Sequence, residues 1–178
     1  FPANFIYENL QIQNNIIDVS KDFNVKKLIF LGSSCIYPKK SKQPIKENYL
    51  LTGDLEETNQ WYSVAKIAGV KMIQAYRKQY KKNFISVMPC NMYGPNDNYD
   101  NLNSHVLAAL IKKFTSATKK KSKIVEIWGS GKPLREFMHV DDFAEALVVC
   151  MKKYNEYQPI NVGSSQEISI RNLALLIA

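Results

Sequence analysis

Glycine is scarce in this chain, with seven among 178 residues, and no G-x-G-x-x-G or G-x-x-G-x-x-G follows any stretch that reads as a strand. The one G-x-G, Gly129-Ser130-Gly131, lacks a third glycine and is a weak signal by itself. Cysteine and histidine are few as well. Cys35, Cys90 and Cys150 are odd in number and far apart, which excludes a C-x-x-C pair and a disulfide framework. With only His105 and His139 beside them, no zinc-ligand spacing exists and no metal is expected. A reducing, cytoplasmic location is the expectation. Long apolar runs are missing. Val106 to Ile111 is typical of what there is, far below the roughly 18 residues that span a bilayer, and no secretory signal is expected.

Positive charge is in excess, 24 Lys and Arg against 16 Asp and Glu, for a net +8. Such a balance suits an anionic ligand or a nucleic acid. The densest run, Lys119-Lys120-Lys121-Ser122-Lys123, carries no interleaved aromatics. It reads as a solvated loop, and no nucleic-acid partner is expected. The 46% hydrophobic content is that of a globular domain with a real core.

Periodicity predicts helices over about 4–22, 59–80, 104–118, 141–153 and 169–178. It predicts strands over 27–31, 84–88, 124–128 and 159–162. Strands alternating with helices argue for an α/β fold with a mainly parallel sheet covered on both faces. Ligands of such folds bind at the strand C-termini. There the first strand runs into Gly32-Ser33-Ser34-Cys35. Ser and Gly are ordinary turn residues, so this stretch alone does not separate a loop from a site.

About thirty residues later comes Trp61-Tyr62-Ser63-Val64-Ala65-Lys66. Tyr62 and Lys66, four apart on a helix, share one face. A Y-x-x-x-K arises often by chance, as a Tyr packed on a Lys stem. Its chemistry is still useful, because a nearby ammonium favours the phenolate and lowers the Tyr pKa. The phenol can then exchange a proton with a carbonyl oxygen. Ser33 is the hydroxyl available to hold the same oxygen.

Strand-G-S-S followed by Y-x-x-x-K resembles the extended short-chain dehydrogenase/reductase family. "LGSSCIYP", "QPIKENYLLTGDLEETNQWYSVAKIAG", "NMYGPNDNY", "NSHV" and "VEIWGSGKPLREFMHVDD" resemble its GDP-L-fucose synthase branch over nearly the whole chain. The resemblance implies a Rossmann-type doubly wound parallel sheet with part of a smaller substrate-binding domain. It also implies that the N-terminal β-α-β unit, with its glycine-rich turn, is missing and that the sequence is an internal fragment. Residues 1–92 would be a partial NADP-binding domain. Residues 93–178 would be mostly substrate-binding, with about 137–162 returning to the first domain.

The implied activity is NADPH-dependent 3,5-epimerisation and 4-reduction of GDP-4-dehydro-6-deoxy-D-mannose to GDP-L-fucose, in a cytoplasmic homodimer. Tyr62, Lys66, Ser33, Cys35 and His105 would be catalytic, Cys35 and His105 forming the epimerisation acid/base pair. Leu31, Gly32, Ser33, Ser34, Tyr62, Lys66, Pro89, Cys90, Asn91, Met92 and His105 would line the NADP site. Lys113, Trp128 and Arg135 would contact the GDP-sugar, with Lys113 standing where the family has Arg. Trp128 at a strand end also reads as core. His139 reads as structural, and Cys90 and Cys150 as core filler. Another nucleotide-sugar epimerase or dehydratase of the same superfamily, or a catalytically silent dinucleotide-binding protein, are the rival readings.

Overall fold

The computed structural model describes residues 1–100 and 104–178. Asn103, which opens the N-S-H-V motif, lies outside them. The helices are α1 (Pro2–Asp22), α2 (Gln60–Tyr80), α3 (Val106–Lys119), α4 (Val140–Lys153) and α5 (Ile170–Ile177). The strands are β1 (Lys27–Leu31), β2 (Asn83–Pro89), β3 (Asn91–Tyr93), β4 (Leu134–His139), β5 (Ile160–Val162) and β6 (Glu167–Ser169). They fall into two compact units, one of residues 1–90 with 144–162, the other of 91–143 with 163–178.

The first unit holds a parallel sheet in the order β1-β2-β5, with Leu31 opposite Val87 and Pro89 opposite Val162. β2 is central, and its run Phe84 to Pro89 is buried throughout, as a strand covered on both faces requires. α2 turns Ile67, Val70 and Ile73 into a core with Ile17, Phe30, Ile36, Phe84 and Met88. Each such side chain contributes about 1.5–3 kcal/mol when fully buried. Gly69 is what lets α2 come this close: a Cβ there would stand 2.2 Å from the Phe30 ring and 2.8 Å from Gln13 Oε1. Gln13 of α1 in turn donates to the Ala65 carbonyl at 2.8 Å. α2 stops at Lys81, in the left-handed region at φ 55°.

Two basic side chains hold the chain that follows α4. Lys27 Nζ donates to the carbonyls of Cys150 and Tyr154 at 2.9 and 2.7 Å and to Asn155 Oδ1 at 3.1 Å. Arg77 donates to the Phe84 and Asn155 carbonyls at 2.9 and 2.6 Å.

The second unit holds a small sheet in the order β3-β4-β6, the first pair parallel and the second antiparallel. Leu110, Leu173 and Ala174 are buried with Ile127, Phe137 and Ile168 around them.

The parallel α/β arrangement expected from strand–helix alternation is present in the first unit. In the second unit the expected strand over 124–128 does not form. Ile124 is 81% exposed, and Ile127 packs into the local core without entering a ladder. β-branched residues signalled a strand, but among the described residues no partner strand pairs with this run. β3, β4 and β6 were not expected. Two are three residues long, too short for alternation, and β4 mixes Arg135 and Glu136 with apolar residues. Among the described residues no helix is long and apolar enough to cross a membrane, and no cluster of ligating side chains suits a metal ion.

Candidate active site

The sequence places chemistry at the end of β1 because the strand cannot continue there. Gly32 donates to the Val87 carbonyl at 2.9 Å and sits against Met88, so a Cβ would lie 2.3 Å from the Met88 sulfur. Ser33 then leaves the sheet and caps a single 3-10 turn, Ser34–Ile36, its Oγ accepting from the Cys35 N–H at 3.2 Å. Ile36 and Tyr37 are buried beneath the turn, while Ser33, Ser34 and Cys35 are half-buried above it. Tyr37 is tied to β5 through Asn161, whose N–H donates to Glu47 Oε1 at 2.9 Å. The loop after the turn is thereby held to the sheet.

α2 brings Tyr62 and Lys66 to the same place. Tyr62 lies beside Ser33 and Cys35, close enough for both to act on its phenol. Lys66 Nζ donates to the Leu31 carbonyl at 3.1 Å and stands 5.6 Å from the centre of the Tyr62 ring. Phe5 of α1 meets that ring edge-on at 6.5 Å between centroids. Ser33, Cys35, Tyr62 and Lys66, expected from the sequence, therefore converge at one sheet edge.

The electrostatics differ from the expectation. Burial pushes the Tyr62 phenol above its ordinary value, and the nearby Cys35 adds to this against the pull of the Ser33 hydroxyl. Burial also lowers the Lys66 ammonium. Desolvation leads the shift of Tyr62, opposite in direction to the lowering expected from the ammonium. In this arrangement Tyr62 is a neutral phenol, a proton donor.

The other expected site residues are distributed as follows. Pro89 ends the neighbouring strand β2 and Cys90 follows it, the Cys90 N–H donating to the Val162 carbonyl at 3.1 Å. Asn91 and Met92 are in β3 of the second unit, where Asn91 donates to the Glu136 carbonyl at 2.9 Å. His105 is exposed at the N-cap of α3, without a side-chain capping bond. Lys113, two turns on, lies over the Trp128 ring at 4.4 Å and donates to the Glu126 carbonyl at 3.1 Å. Trp128 is 71% exposed, which removes the reading of it as core. Arg135 is exposed on β4, where it donates to the Leu134 carbonyl at 2.8 Å. His139 packs edge-on to Tyr93 and accepts from the Asp141 N–H, and Cys150 is buried.

One residue of the site was missed. Ser63 is fully buried and donates to the Cys35 carbonyl at 2.9 Å. Its signal was available, since a polar side chain at 63 shares the core-facing stripe of Ile67 and Val70.

Known proteins are similar to this chain at several levels. The model of the NAD dependent epimerase/dehydratase family matches residues 1–163. A probable GDP-L-fucose synthase from Oryza sativa subsp. japonica is 56% identical over 178 residues, covering 99% of this chain and 54% of that protein. This chain thus spans about half the length of the curated relatives it matches. The solved structure of a GDP-L-fucose synthetase from Naegleria fowleri bound to NADP superposes with a TM-score of 0.91 at 33% identity, over 99% of this chain and 57% of that one. A GDP-D-glycero-L-gluco-heptose synthase from Campylobacter jejuni, crystallised with NADPH, gives 0.87 at 38% identity, over 99% and 63%.

Proposed function

The chain belongs to the NAD dependent epimerase/dehydratase family, and from that premise we propose that the whole protein makes GDP-L-fucose from GDP-4-dehydro-6-deoxy-D-mannose by 3,5-epimerisation and NADPH-dependent 4-reduction. The observation that carries the reading is the convergence of Ser33, Cys35 and Tyr62 at the end of β1. The names of the similar synthases supply the substrate class.

The donor set fits a nicotinamide dinucleotide. Ser33, Tyr62 and Lys66 present two hydroxyls and an ammonium at the C-terminal edge of a parallel sheet, where α/β folds take such ligands. Lys66 has three N–H donors and spends one on Leu31, which leaves two for ribose hydroxyls. Leu31 to Ser34, Pro89 and Cys90 would line the same edge, and the resemblance adds Asn91, Met92 and His105. The cofactor, when bound, supplies hydride. Tyr62, kept neutral by burial, donates its proton to the C4 oxygen as that oxygen becomes an alkoxide. Ser33 hydrogen-bonds the same oxygen and stabilises its charge, both in the alkoxide and in the enolates that precede it.

Epimerisation asks for proton removal beside the C4 ketone. Cys35 takes that role in the first unit. His105 of the second unit takes the role of the acid that returns a proton. In the second unit Lys113, Trp128 and Arg135 are assigned to the GDP moiety. Arg135 suits the diphosphate through its planar fork, Lys113 as a point charge, and Trp128 through its exposed ring face. A cytoplasmic homodimer completes the reading. α1 leaves Phe5, Ile12, Ile16 and Val19 half or more exposed, an apolar surface that a second copy covers.

Incubation of the complete protein with GDP-4-dehydro-6-deoxy-D-mannose and NADPH, with NMR of the product, tests the reading. GDP-L-fucose is expected. A 6-deoxy product of the starting configuration would make the protein a 4-reductase, and absence of both NADPH consumption and any change in the sugar would make it catalytically silent. Sedimentation of the complete protein tests the dimer.

A further inference from the structure

The turn that presents Cys35 closes its two local bonds, Ile36 N–H to the Ser33 carbonyl and Tyr37 N–H to the Ser34 carbonyl, both at 3.3 Å, but gives the Cys35 carbonyl at its end no local donor. In a 3-10 turn the carbonyl of residue 35 accepts from the N–H of residue 38. Residue 38 is Pro38, which has no N–H. The next N–H along the chain, that of Lys39, is committed to the Asp54 carbonyl at 2.9 Å. The Cys35 carbonyl takes its proton from Ser63 instead, at 2.9 Å. Ser63 is 0% exposed, and its single proton has two longer alternatives, Asn59 O at 3.2 Å and Asn59 Oδ1 at 3.4 Å.

Both ends of the Cys35 peptide are therefore held by serine hydroxyls. Ser33 accepts from its N–H, and Ser63 donates to its carbonyl. The two serines differ in place. Ser33 faces the phenol of Tyr62, whereas Ser63 lies in the core one residue beyond Tyr62 on the first turn of α2.

We infer that Ser63 is a positioning residue, whose hydroxyl fixes the Cys35 peptide to the first turn of α2 and so sets where the thiol stands relative to the Tyr62 phenol. The inference rests on the function proposed above, in which Cys35 moves the sugar's ring protons and Tyr62 protonates the C4 oxygen. Tyr62 is placed by the backbone of α2 and by Phe5 against its ring, neither of which needs the Ser63 hydroxyl. Loss of that hydroxyl acts on proton exchange before it acts on hydride transfer. A displacement of an ångström at a reacting group lowers rates by about 10²-fold.

The test uses Ser63→Ala and Ser63→Cys in the complete protein, the second keeping the size with a weaker donor. Three quantities are read: deuterium wash-in at C3 and C5 of the 4-keto sugar without NADPH, the NADPH dissociation constant, and iodoacetamide labelling of Cys35 by peptide mass spectrometry. The expected order of wash-in is wild type, then Cys, then Ala, with Ala lower by about 10- to 100-fold. NADPH affinity should stay as in wild type, and the pH profile of Cys35 labelling should shift in Ser63→Ala. Wash-in and labelling that match wild type in Ser63→Ala would overturn the inference. So would a parallel loss of wash-in, hydride transfer and NADPH affinity, which marks a general packing role. Should wild type itself exchange no deuterium, the proposed function fails, while the labelling profile still decides whether Ser63 holds the Cys35 turn.

Discussion

The Lys66 ammonium is bonded to the Leu31 carbonyl at 3.1 Å, so the face of α2 that carries Tyr62 is fastened to the last residue of β1. The phenol one turn earlier on that face is governed by its burial. A phenol whose pKa is raised keeps its proton as the pH climbs past 10, and only then ionises. The tyrosinate absorbance of wild type minus that of Tyr62→Phe should accordingly appear above the pH at which free tyrosine titrates. A difference signal below pH 10 would contradict a neutral Tyr62.

Replacing Tyr62 by Phe in the complete protein should slow C4 reduction by about 10²–10⁴-fold, the range that general-acid catalysis supplies. Deuterium wash-in at C3 and C5 should survive to a larger extent, because it uses other groups. Single-turnover NADPH oxidation measures the first and NMR the second. Reduction near the wild-type rate would remove Tyr62 from the mechanism.

Cys35→Ser keeps the size of the side chain and loses its acidity. It should suppress wash-in at C3 and C5 while leaving the ketone open to reduction, giving a deoxy-sugar of uninverted configuration. If the variant exchanges deuterium as fast as wild type, another residue is the base.

Lys27→Met tests how the segment after α4 is held. It removes an ammonium from two carbonyls and an amide oxygen at 2.7–3.1 Å. Hydrogen bonds to a charged group are each worth about 1.5–3 kcal/mol net, and the half-exposed site places the loss near the lower figure. Urea denaturation of the complete protein should show a stability lower by about 2 kcal/mol at unchanged m-value. No loss of stability would show that water replaces the clasp.

Gly69→Ala forces a methyl group onto the Phe30 ring. Overpacking of this kind costs about 1–3 kcal/mol. Thermal unfolding should report a lower midpoint, and a variant as stable as wild type would mean that α2 can retreat from β1.

Much of the first unit was legible, because its elements are long and obey one period each. α2 runs 21 residues with apolar positions at helical spacing, and β2 is an unbroken buried run. The second unit was less legible. Its strands β3 and β6 are three residues each, and their pairing is decided by partners distant in sequence. Tyr62, Lys66, Ser33 and Cys35 were readable because motif and strand end coincide. The direction of the Tyr62 shift was not, since spacing along a helix reports that Lys66 is near but says nothing of how much water the ring loses. Ser63 was legible as a polar residue on the apolar stripe of α2, but its partner was not, since spacing along a helix does not say which carbonyl a buried hydroxyl meets.

Pro38 also bears on the order in which the chain organises itself. A turn that closes on its neighbours can form as soon as it is synthesised. This one closes two local bonds, but its Cys35 carbonyl waits for a hydroxyl 28 residues further on. α2 must wind and settle against β1 before the peptide at Cys35 finds its second partner. A synthetic peptide of residues 27–40 should therefore leave the Cys35 carbonyl to water, and in the folding protein the thiol reaches its final place late, after the scaffold that carries it.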